Sequence, residues 1–520
     1  MAERQDGAPS DPQADTLLAF LSDGRSYGLP DAGVERITTH AAHVFLVGER
    51  AYKMKRPVRY SFLDFTTLDR RKRALEAELE LNRRTAPMLY RRLVPVTRPD
   101  GDRLALAGSG EPVEWLLEMA RFDQEARLDR IAERGQLMPA IVDDLAAAIA
   151  AFHGQATLRP EYGGHAGMQE VIEGNAEDLA ALPDSIFGAE QSAWLTARCR
   201  EELARRRDLL EQRRRSGRVR HCHGDLHLGN IVLLEGRPIL FDCLEFDEAL
   251  ASTDTLYDLA FLLMDLQHQN LGALAQRLVN GYLDATWDDG GLALLPLFLA
   301  CRAAIRAKVL GLAAAHAADG PASPEVMEAR DYLGRALAYL DPPPARLVAL
   351  GGVSGTGKST LARQLAPALG PAPGAVILRS DVVRKRLHGL APGERLPPEA
   401  YRKEASRAVY DALAARAAVV VRAGHAAIVD AVFLDPHERA QIEWVAGDAG
   451  VPFQGLWLTA PEDVLVQRLR ARTGDASDAT PDVLRQQLAT DPGALTWPML
   501  DVGGPPEEVT AQARGLLGWP

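Results

Sequence analysis

The alternation of apolar and polar residues predicts a small β-rich lobe over about residues 30–120. HVFLVGERAYKMKRP (43–57) indicates a strand, a turn at Gly48 and a second strand. TLDRRKRALEAELELNRRTAPMLYRRL (67–93) has the 3.6-residue periodicity of one long amphipathic helix. DRLALAGSGEPVEWLLEMARF (102–122) indicates a hairpin followed by an extended segment.

Beyond Asp123 the pattern becomes helical, which predicts a helical lobe over about residues 121–340. MPAIVDDLAAAIAAFHGQA (138–156) and SPEVMEARDYLGRALAYL (323–340) are typical of helices that bury one face. One β interruption is expected in NIVLLEGRPILFD (230–242), which predicts a hairpin that turns at Glu235-Gly236.

Three consecutive prolines, Pro342–Pro344, mark the clearest boundary of the chain, because proline cannot continue a helix. RLVALGG (346–352) follows them and predicts a short buried strand. A chain of 520 residues with 47% hydrophobic content is too long for one ordinary core. We therefore expect a disordered polar tail over 1–15, a first domain over 16–340 and a second over 345–520.

Composition narrows the classes of function. A net charge of −12 argues against a protein that coats nucleic acid, because such proteins have a basic excess. The four cysteines form no C-x-x-C pair, which fits a reducing cytoplasm. The N-terminus has no apolar signal segment, and the apolar run 292–318 is interrupted by three basic residues: Arg302, Arg306 and Lys308. We expect a cytoplasmic protein without a membrane partner, of unknown oligomeric state.

HCHGDLHLGN (221–230) carries the first candidate site. Asp225 precedes Asn230 by five residues, and Asp242 follows at the end of the predicted hairpin. This spacing resembles the H-x-D-x-x-x-x-N catalytic loop of protein kinases, with its later metal-binding Asp. The resemblance implies that Asp225 is the catalytic base and that Asn230 and Asp242 hold Mg²⁺. The alternative, a zinc cluster of His221, His223 and His227, lacks acidic or Cys partners at ligand spacing other than Cys222.

A kinase-like site also needs a strand lysine that reaches the phosphates and a helix glutamate that orients it. RAYKMK (50–55) offers Lys53, with Lys55 on the same face as the reserve candidate. The predicted helix offers Glu76, Glu78 and Glu80, of which we expect Glu78, one helical turn before Asn82, to be the partner. EWLLEMARF (114–122) would then hold adenine through its backbone, with Met119 lining the pocket.

HGDLHLGN, LFD and TLYDLAFLL together resemble the aminoglycoside-phosphotransferase-like branch of the kinase fold, over about residues 30–335. The resemblance implies an α+β bilobal kinase-like domain that phosphorylates small-molecule hydroxyls with ATP and Mg²⁺. It also implies that Asp258, in YDLA, is a structural acid beneath the catalytic loop. In contrast to protein kinases, no G-x-G-x-x-G precedes Lys53.

GVSGTGKS (352–359) is a complete G-x-x-x-x-G-K-[ST] motif between a predicted strand and a predicted helix. In this context the backbone amides surround the phosphates, Lys358 neutralises their charge and Ser359 reaches Mg²⁺. The predicted nucleotide-binding residues are Gly352, Ser354, Gly355, Thr356, Gly357, Lys358, Ser359 and Thr360.

Further strands are predicted to end at Asp381 and Asp430, and FQGLWLTA (453–460) is another. Asp381 is the candidate base, Arg384 a candidate substrate ligand and Asp430 the Mg²⁺-associated carboxylate. Arg468 and Arg472 are candidates for closing over the nucleotide. This half resembles the small P-loop kinases, such as gluconate kinase, chloramphenicol phosphotransferase and zeta toxin, which implies an α/β P-loop NTPase domain with a parallel sheet.

The pairing of the two halves resembles predicted bacterial bifunctional fusion proteins. We expect a kinase with two ATP·Mg²⁺ sites, each acting on a hydroxyl of a small polar molecule. Two alternatives stay open. The first domain could be a nucleotide-binding regulatory pseudokinase that controls the P-loop kinase, or the P-loop half could be a polynucleotide 5′-kinase.

Overall fold

The computed structural model of the chain describes residues 12–39, 41–60, 63–100, 103–317, 320, 322–391, 393–471 and 476–519. The chain forms two compact units. Unit 1 consists of Met1–Gly167 and Arg213–Leu262, and unit 2 consists of Met168–Gln212 and Leu263–Pro520.

The helices and strands are numbered in chain order. The helices are α1 Pro12–Leu21, α2 Leu68–Arg83, α3 Leu128–Glu133, α4 Pro139–Gln155, α5 Gly164–Ala180, α6 Ala189–Arg205, α7 Arg207–Arg215, α8 Glu248–Ala251, α9 Thr255–His268, α10 Gly272–Thr286, α11 Leu295–Ala317, α12 Pro324–Tyr339, α13 Lys358–Leu365, α14 Ser380–Leu387, α15 Lys403–Arg422, α16 Pro436–Ala449, α17 Glu462–Ala471, α18 Pro481–Leu488 and α19 Pro506–Leu516. The strands are β1 Glu35–Thr38, β2 Ala42–Val47, β3 Arg50–Lys55, β4 Arg59–Tyr60, β5 Leu63–Asp64, β6 Tyr90–Asp100, β7 Arg103–Leu106, β8 Pro112–Ala120, β9 Val219–His221, β10 Ile231–Leu234, β11 Arg237–Leu240, β12 Ser252–Asp254, β13 Leu347–Gly351, β14 Val376–Arg379, β15 Ala427–Asp430, β16 Phe453–Thr459 and β17 Met499–Asp501.

Unit 1 contains a six-stranded sheet in the order β1-β2-β3-β8-β6-β7, with antiparallel neighbours. The predicted turn at Gly48 joins β2 to β3, and Gly48 has a positive φ of 51°. Helix α2 begins after Thr67, whose side chain accepts a hydrogen bond from the Arg70 amide. Its buried face includes Ala74, Leu75 and Glu78. The sheet and α2 thus place Lys53 and Glu78 on facing elements.

Two details of the predicted β-rich lobe were wrong. The predicted helix over 67–93 ends at Arg83, and Tyr90 already belongs to β6. Pro87 lies between them, and a proline disfavours helical continuation through its neighbours. The predicted hairpin within 102–122 does not form, because β7 and β8 both pair with the long strand β6.

The predicted hairpin over 230–242 is confirmed, since β10 and β11 pair antiparallel in the expected register. Its turn residues Glu235 and Gly236 have φ values of 49° and 76°, as a two-residue hairpin turn requires. It is not the single β interruption that the sequence suggested, because β9 and β12 form a second antiparallel pair.

Unit 2 contains a five-stranded parallel sheet in the order β14-β15-β13-β16-β17. All five residues of the central strand β13 are buried. The sheet confirms the predicted α/β class of the C-terminal part. Strand β14 ends at Arg379, so Ser380 and Asp381 open helix α14 and do not end the strand as expected.

The grouping into units differs from the predicted division at Pro342–Pro344, because unit 2 continues through these prolines. The domain boundaries at 340 and 345 therefore stay a prediction. The predicted tail lies mostly outside the described residues, and α1 begins within it at Pro12. Among the helices that the structure describes, none is both long and apolar enough to cross a membrane.

Candidate active sites

The loop between β9 and β10 brings two of the predicted residues into contact. The Asn230 side-chain amide donates to both the backbone oxygen and the Oδ2 atom of Asp225, at 3.0 Å each. His227 Nε2 lies 3.5 Å from the same Oδ2. The Asn230 carbonyl accepts from the Phe241 amide at 3.0 Å, which ties the loop to the strand end that carries Asp242.

Asp258 is fully buried on α9 and binds the start of this loop. Its carboxylate accepts from the backbone amides of His223 and Gly224 at 3.2 and 2.8 Å. It also lies 3.0 Å from His153 Nε2. Gly224 has a φ of 82°, so a residue with a Cβ would be strained there. The loop is therefore fixed by backbone bonds, with Asp225 directly after the fixed amides.

Two lysines of β3 share one glutamate. Lys53 Nζ lies 2.7 Å from Glu78 Oε1 and 2.6 Å from Asp242 Oδ1. Lys55 Nζ lies 2.7 Å from Glu78 Oε2 and also pairs with Glu245. Lys53 is thus the lysine that contacts Asp242, whereas Lys55 joins Glu78 to an acidic residue that the sequence reasoning missed.

The electrostatics of this cluster keep its central pair ionised. Burial disfavours the charged form of Lys53, but Asp242, Glu78 and Glu245 together hold the pKa of Lys53 well above its ordinary value. Partial burial also opposes the ionisation of Asp242, but Lys53 and Lys55 outweigh it and lower the pKa of Asp242. Burial raises the pKa of Glu245.

Tyr90 of β6 and Asn82 of α2 hold the segment after β11 in place. The Asp242 amide donates to Tyr90 Oη at 3.0 Å, and the Cys243 amide donates to Asn82 Oδ1 at 2.9 Å. Asp242 has a positive φ of 62°, which is uncommon for a residue other than glycine. Asn82 lies one helical turn after Glu78, and this spacing was the only sequence signal for its part in the site.

Met119 lies on β8 opposite Ala51 and is buried in a cluster with Leu46, Ala51 and Val232. Aliphatic side chains of this kind are suited to packing against an adenine ring. The β1–β2 connection spans only 39–41, and His40 lies outside the described residues.

The donor set of this site suits Mg²⁺, which prefers carboxylate and amide oxygens. Asp242, Asn230 and Asp225 supply only such oxygens, and hydrogen bonds connect Asp225 to Asn230 and Asn230 to Phe241. In the described part of the chain, the one group of three or more potential metal ligands is His153, Cys222 and Asp258. It contains none of the three histidines of the zinc alternative.

The loop after β13 has the conformation that a phosphate-binding loop requires. Gly352, Gly355 and Gly357 have φ values of 132°, 90° and 82°, which side-chain-bearing residues rarely adopt. Helix α13 begins at Lys358, so its N-terminal amides point towards the loop. Lys358 Nζ donates to the carbonyl oxygens of Gly352 and Val353 at 2.7 and 3.0 Å.

The remaining predicted loop residues differ in their contacts. Thr356 is fully buried, and its hydroxyl donates to the Val353 carbonyl at 2.9 Å. Thr360 is exposed on the first turn of α13. The Ser354 amide donates to Gln487 Oε1 of α18 at 2.7 Å. Gln487 was missed by the sequence reasoning, since nothing in its surroundings indicated a contact 133 residues away.

Two predicted magnesium-associated residues meet at the edge of this loop. The Ser359 hydroxyl donates to Asp430 Oδ2 at 2.5 Å, because β15 lies next to β13 in the sheet. Arg379 Nε lies 3.5 Å from the same oxygen. A hydroxyl beside a carboxylate is an oxygen donor set that suits Mg²⁺. Burial and the charge of Asp430 raise the pKa of Asp381.

Two of the three predicted arginines, Arg384 and Arg468, lie in the described part of the chain. Arg384 is buried, donates to the Ala400 carbonyl at 2.7 Å and lies over the Tyr401 ring. These contacts join α14 to the segment before α15. Arg468 donates to the Val502 carbonyl at 2.6 Å, beyond the end of β17. Arg472 lies outside the described residues. The ligand-binding roles of all three stay predictions.

The chain matches two family models. Residues 58–295 match the family model described as phosphotransferase enzyme family, and residues 347–491 match one described as AAA domain. The uncharacterized proteins Rv2004c of Mycobacterium tuberculosis and Mb2027c of Mycobacterium bovis are each 32% identical over 482 residues, covering 91% of this chain and 93% of theirs.

Two solved structures are also similar to parts of the chain. A gluconokinase from Sinorhizobium meliloti is 24% identical and covers 34% of this chain and 92% of its own, with a TM-score of 0.26. A choline/ethanolamine kinase family protein from Mesorhizobium loti is 13% identical and covers 63% of this chain and 95% of its own, with a TM-score of 0.40.

The chain therefore combines an aminoglycoside phosphotransferase-like domain with a C-terminal P-loop kinase domain, as the sequence predicted. It is a phosphotransferase of the kinase class, and its domains imply ATP binding. The chain belongs to the same family as the two mycobacterial proteins, with which it aligns over nearly its whole length.

Proposed function

We propose that the protein is an ATP- and Mg²⁺-dependent phosphotransferase with two separate nucleotide sites. Each site transfers the γ-phosphoryl group of ATP to a hydroxyl group of a small polar molecule. The observation that carries the proposal is that each half brings its own phosphate-binding lysine and candidate Mg²⁺ ligands together. Lys53 contacts Glu78 and Asp242 in one half, and Ser359 contacts Asp430 beside Lys358 in the other.

At the first site, the Asp225 carboxylate orients the acceptor hydroxyl and takes its proton. The acceptor oxygen forms a bond to the γ-phosphorus, and the bond from that phosphorus to the β–γ bridging oxygen breaks, which leaves ADP. Asn230 fixes the Asp225 carboxylate through its side-chain amide. Lys53, held cationic by its acidic neighbours, neutralises the phosphate charge.

Asp242 and Asn230 would hold Mg²⁺ at this site. When bound, the ion neutralises charge on the phosphate oxygens. The segment that carries Asp242 is fixed through its own amides by Tyr90 and Asn82, so the carboxylate needs little reorganisation before it can bind a ligand.

At the second site, the loop amides and Lys358 bind the phosphates. Asp381 is the proposed base, which takes the proton of the acceptor hydroxyl as the new oxygen–phosphorus bond forms. Ser359 and Asp430 would hold Mg²⁺ there. The raised pKa of Asp381 brings its basicity closer to what proton transfer near neutral pH requires.

We place this chemistry in the cytoplasm, where ATP is abundant and where the four cysteines, all free and buried, would stay reduced. The alternatives have weaker support. A regulatory pseudokinase does not require the Asp225–Asn230 contact together with the Lys53–Asp242 pair, and the net charge of −12 disfavours a polynucleotide acceptor.

The test is phosphoryl transfer to a library of small hydroxyl compounds, followed by mass spectrometry. The full chain is compared with Asp225→Asn, Lys358→Ala and the double variant. We expect each single variant to lose a different set of phosphorylated products and the double variant to lose both. Products that persist undiminished in the double variant would contradict the proposal.

A further inference from the structure

Strand β14 lies at the edge of the parallel sheet of unit 2, so in the described part of the chain one side of its backbone has no neighbouring strand. Edge strands expose backbone donors and acceptors that are costly to bury without partners. In this protein the partners come from helix α10, which packs against β14. Helix α10 precedes the strand by about ninety residues in the chain and belongs to the same unit.

Two carboxamide side chains of α10 bind this edge at Ile377 of β14 and at Ala375, immediately before the strand. Asn280 Oδ1 accepts from the Ile377 amide at 2.6 Å, and Asn280 Nδ2 donates to the Ala375 carbonyl at 3.2 Å. Gln276 Nε2 donates to the same carbonyl at 2.9 Å and is buried. One asparagine thus makes the donor and acceptor bonds that a neighbouring strand would make.

A second, buried attachment lies beyond the end of the same helix. The Arg416 guanidinium of α15 forms paired hydrogen bonds with Asp289 at 2.7 and 2.9 Å, and both side chains are 6% exposed. Arg416 also lies over the Trp287 ring at 5.2 Å and 3.7 Å from Asp284 of α10. Breaking such a buried, bidentate pair is strongly destabilising, so this attachment holds α10 in place.

Strand β14 leads directly to the second site. Its last residue, Arg379, lies 3.5 Å from Asp430, and the candidate base Asp381 follows two residues later. We propose that Asn280 and Gln276 are positioning residues of the P-loop site, acting through β14 on Arg379 and Asp381. The inference rests on the proposed role of Asp381 and adds a dependence on α10.

The consequence for the domain organisation is specific. Helix α10 lies within residues 58–295, which match the phosphotransferase family model, whereas β14 lies within 347–491. Catalysis at the P-loop site would therefore depend on side chains from the other family match. This dependence gives a physical reason for joining both domains in one chain.

The experiment uses the full chain in an Asp225→Asn background, so that ATP turnover reports the second site. Asn280→Asp keeps an acceptor for Ile377 but removes the donor and places a charge against the Ala375 carbonyl. Asn280→Ser removes both bonds without adding charge. The matched control is Asn270→Asp, because Asn270 is exposed in the turn before α10. Asp381→Asn tests the proposed function separately.

We expect both Asn280 variants to lower kcat by about 10-fold or more, since small displacements of catalytic groups have effects of this size. The KM for ATP should change by less than about 2-fold, because Lys358 and its loop do not lie on β14. Bound nucleotide per chain should be unchanged, and Asn270→Asp should match its parent. A loss of turnover with this pattern would not arise from unfolding alone.

The inference is overturned if Asp381→Asn abolishes turnover while both Asn280 variants retain the parental kcat. It is equally overturned if turnover falls only in proportion to bound nucleotide, which would indicate a smaller folded fraction. If Asp381→Asn itself leaves turnover unchanged, the proposed function of the second site fails, and the inference fails with it.

Discussion

The two lysines of β3 have different surroundings, and this difference predicts opposite profiles for their variants. Lys53→Met would remove the partner of Asp242, whereas Lys55→Met would remove the partner of Glu245. Glu78 would keep one lysine in either variant. The contrast therefore lies in the carboxylate that loses its partner.

The expected cost in stability of each variant follows from how exposed the unpaired carboxylate is. The Glu245 side chain is 9% exposed, and Lys55 is 3% exposed, so Lys55→Met leaves a buried unpaired carboxylate. Such a loss destabilises a protein by about 3–5 kcal/mol. The Asp242 side chain is 39% exposed, so water can replace Lys53, and the cost should be about 1 kcal/mol. Lys53→Met should instead slow phosphoryl transfer by about 100-fold to 1,000-fold, the effect of removing one electrostatic contact from a transition state.

The assay measures thermal unfolding and ATP turnover of both variants in a Lys358→Ala background, which silences the second site. Lys55→Met should have the lower Tm, and Lys53→Met the lower turnover per folded chain. Leu, in place of Met at each position, controls for side-chain shape. A Lys53→Met variant with the lower Tm and near-normal turnover would refute the assignment of Lys53 as the phosphate-contacting lysine.

Three further outcomes follow from the same geometry. Asp258→Asn should abolish turnover at the first site and lower the Tm. The Asn side chain has one acceptor oxygen and cannot accept hydrogen bonds from the His223 and Gly224 backbone amides and from His153 as the carboxylate does. Turnover at the second site should persist. Gln487→Glu should weaken ATP binding to the second site, because its carboxylate would lie against the Ser354 amide and repel the phosphates that bind there. The loss of affinity should be larger at low salt, where this repulsion is screened less. Equilibrium dialysis measures the binding, with Gln487→Ala as the control. Burial raises the pKa of Asp284 from 3.8 to about 6, so its ionisation on raising the pH from about 4 to about 6 costs the folded state more than the unfolded state. From pH 5 to 7, the wild-type protein should therefore lose about 1 kcal/mol of stability relative to Asp284→Asn. Parallel Tm values of the two proteins across this pH range would contradict the prediction.

Local patterns were sufficient to predict the elements that carry the chemistry. The glycine turn between β2 and β3, the hairpin at Glu235-Gly236 and the strand, loop and helix around Lys358 each depend on short-range backbone preferences. The resemblance to kinase and P-loop motifs also indicated which of their side chains could meet. The contacts of Asn230 with Asp225 and of Ser359 with Asp430 lie within or between adjacent elements.

Pairings between distant segments could not be predicted in this way. Glu245 contacts Lys55 across 190 residues, and Asn280 contacts Ile377 across 97 residues. No periodicity encodes such a contact, because each side chain has the same local pattern whether or not a partner reaches it. The first four residues of β6, 90–93, were misassigned to the preceding helix because their sequence continues its helical pattern. Pro87 disfavours that continuation, and pairing with β8 makes these residues extended.

The central claim, two separate nucleotide sites on one chain, is tested most directly by the number of ATP molecules bound per chain at saturation. Equilibrium dialysis with the slowly hydrolysed analogue AMPPNP and Mg²⁺ should give two for the full chain. Lys358→Ala should reduce this number to one, Lys53→Met should also reduce it, and the double variant should bind none. A full chain that binds a single nucleotide, lost entirely in Lys358→Ala, would contradict the account of the first site.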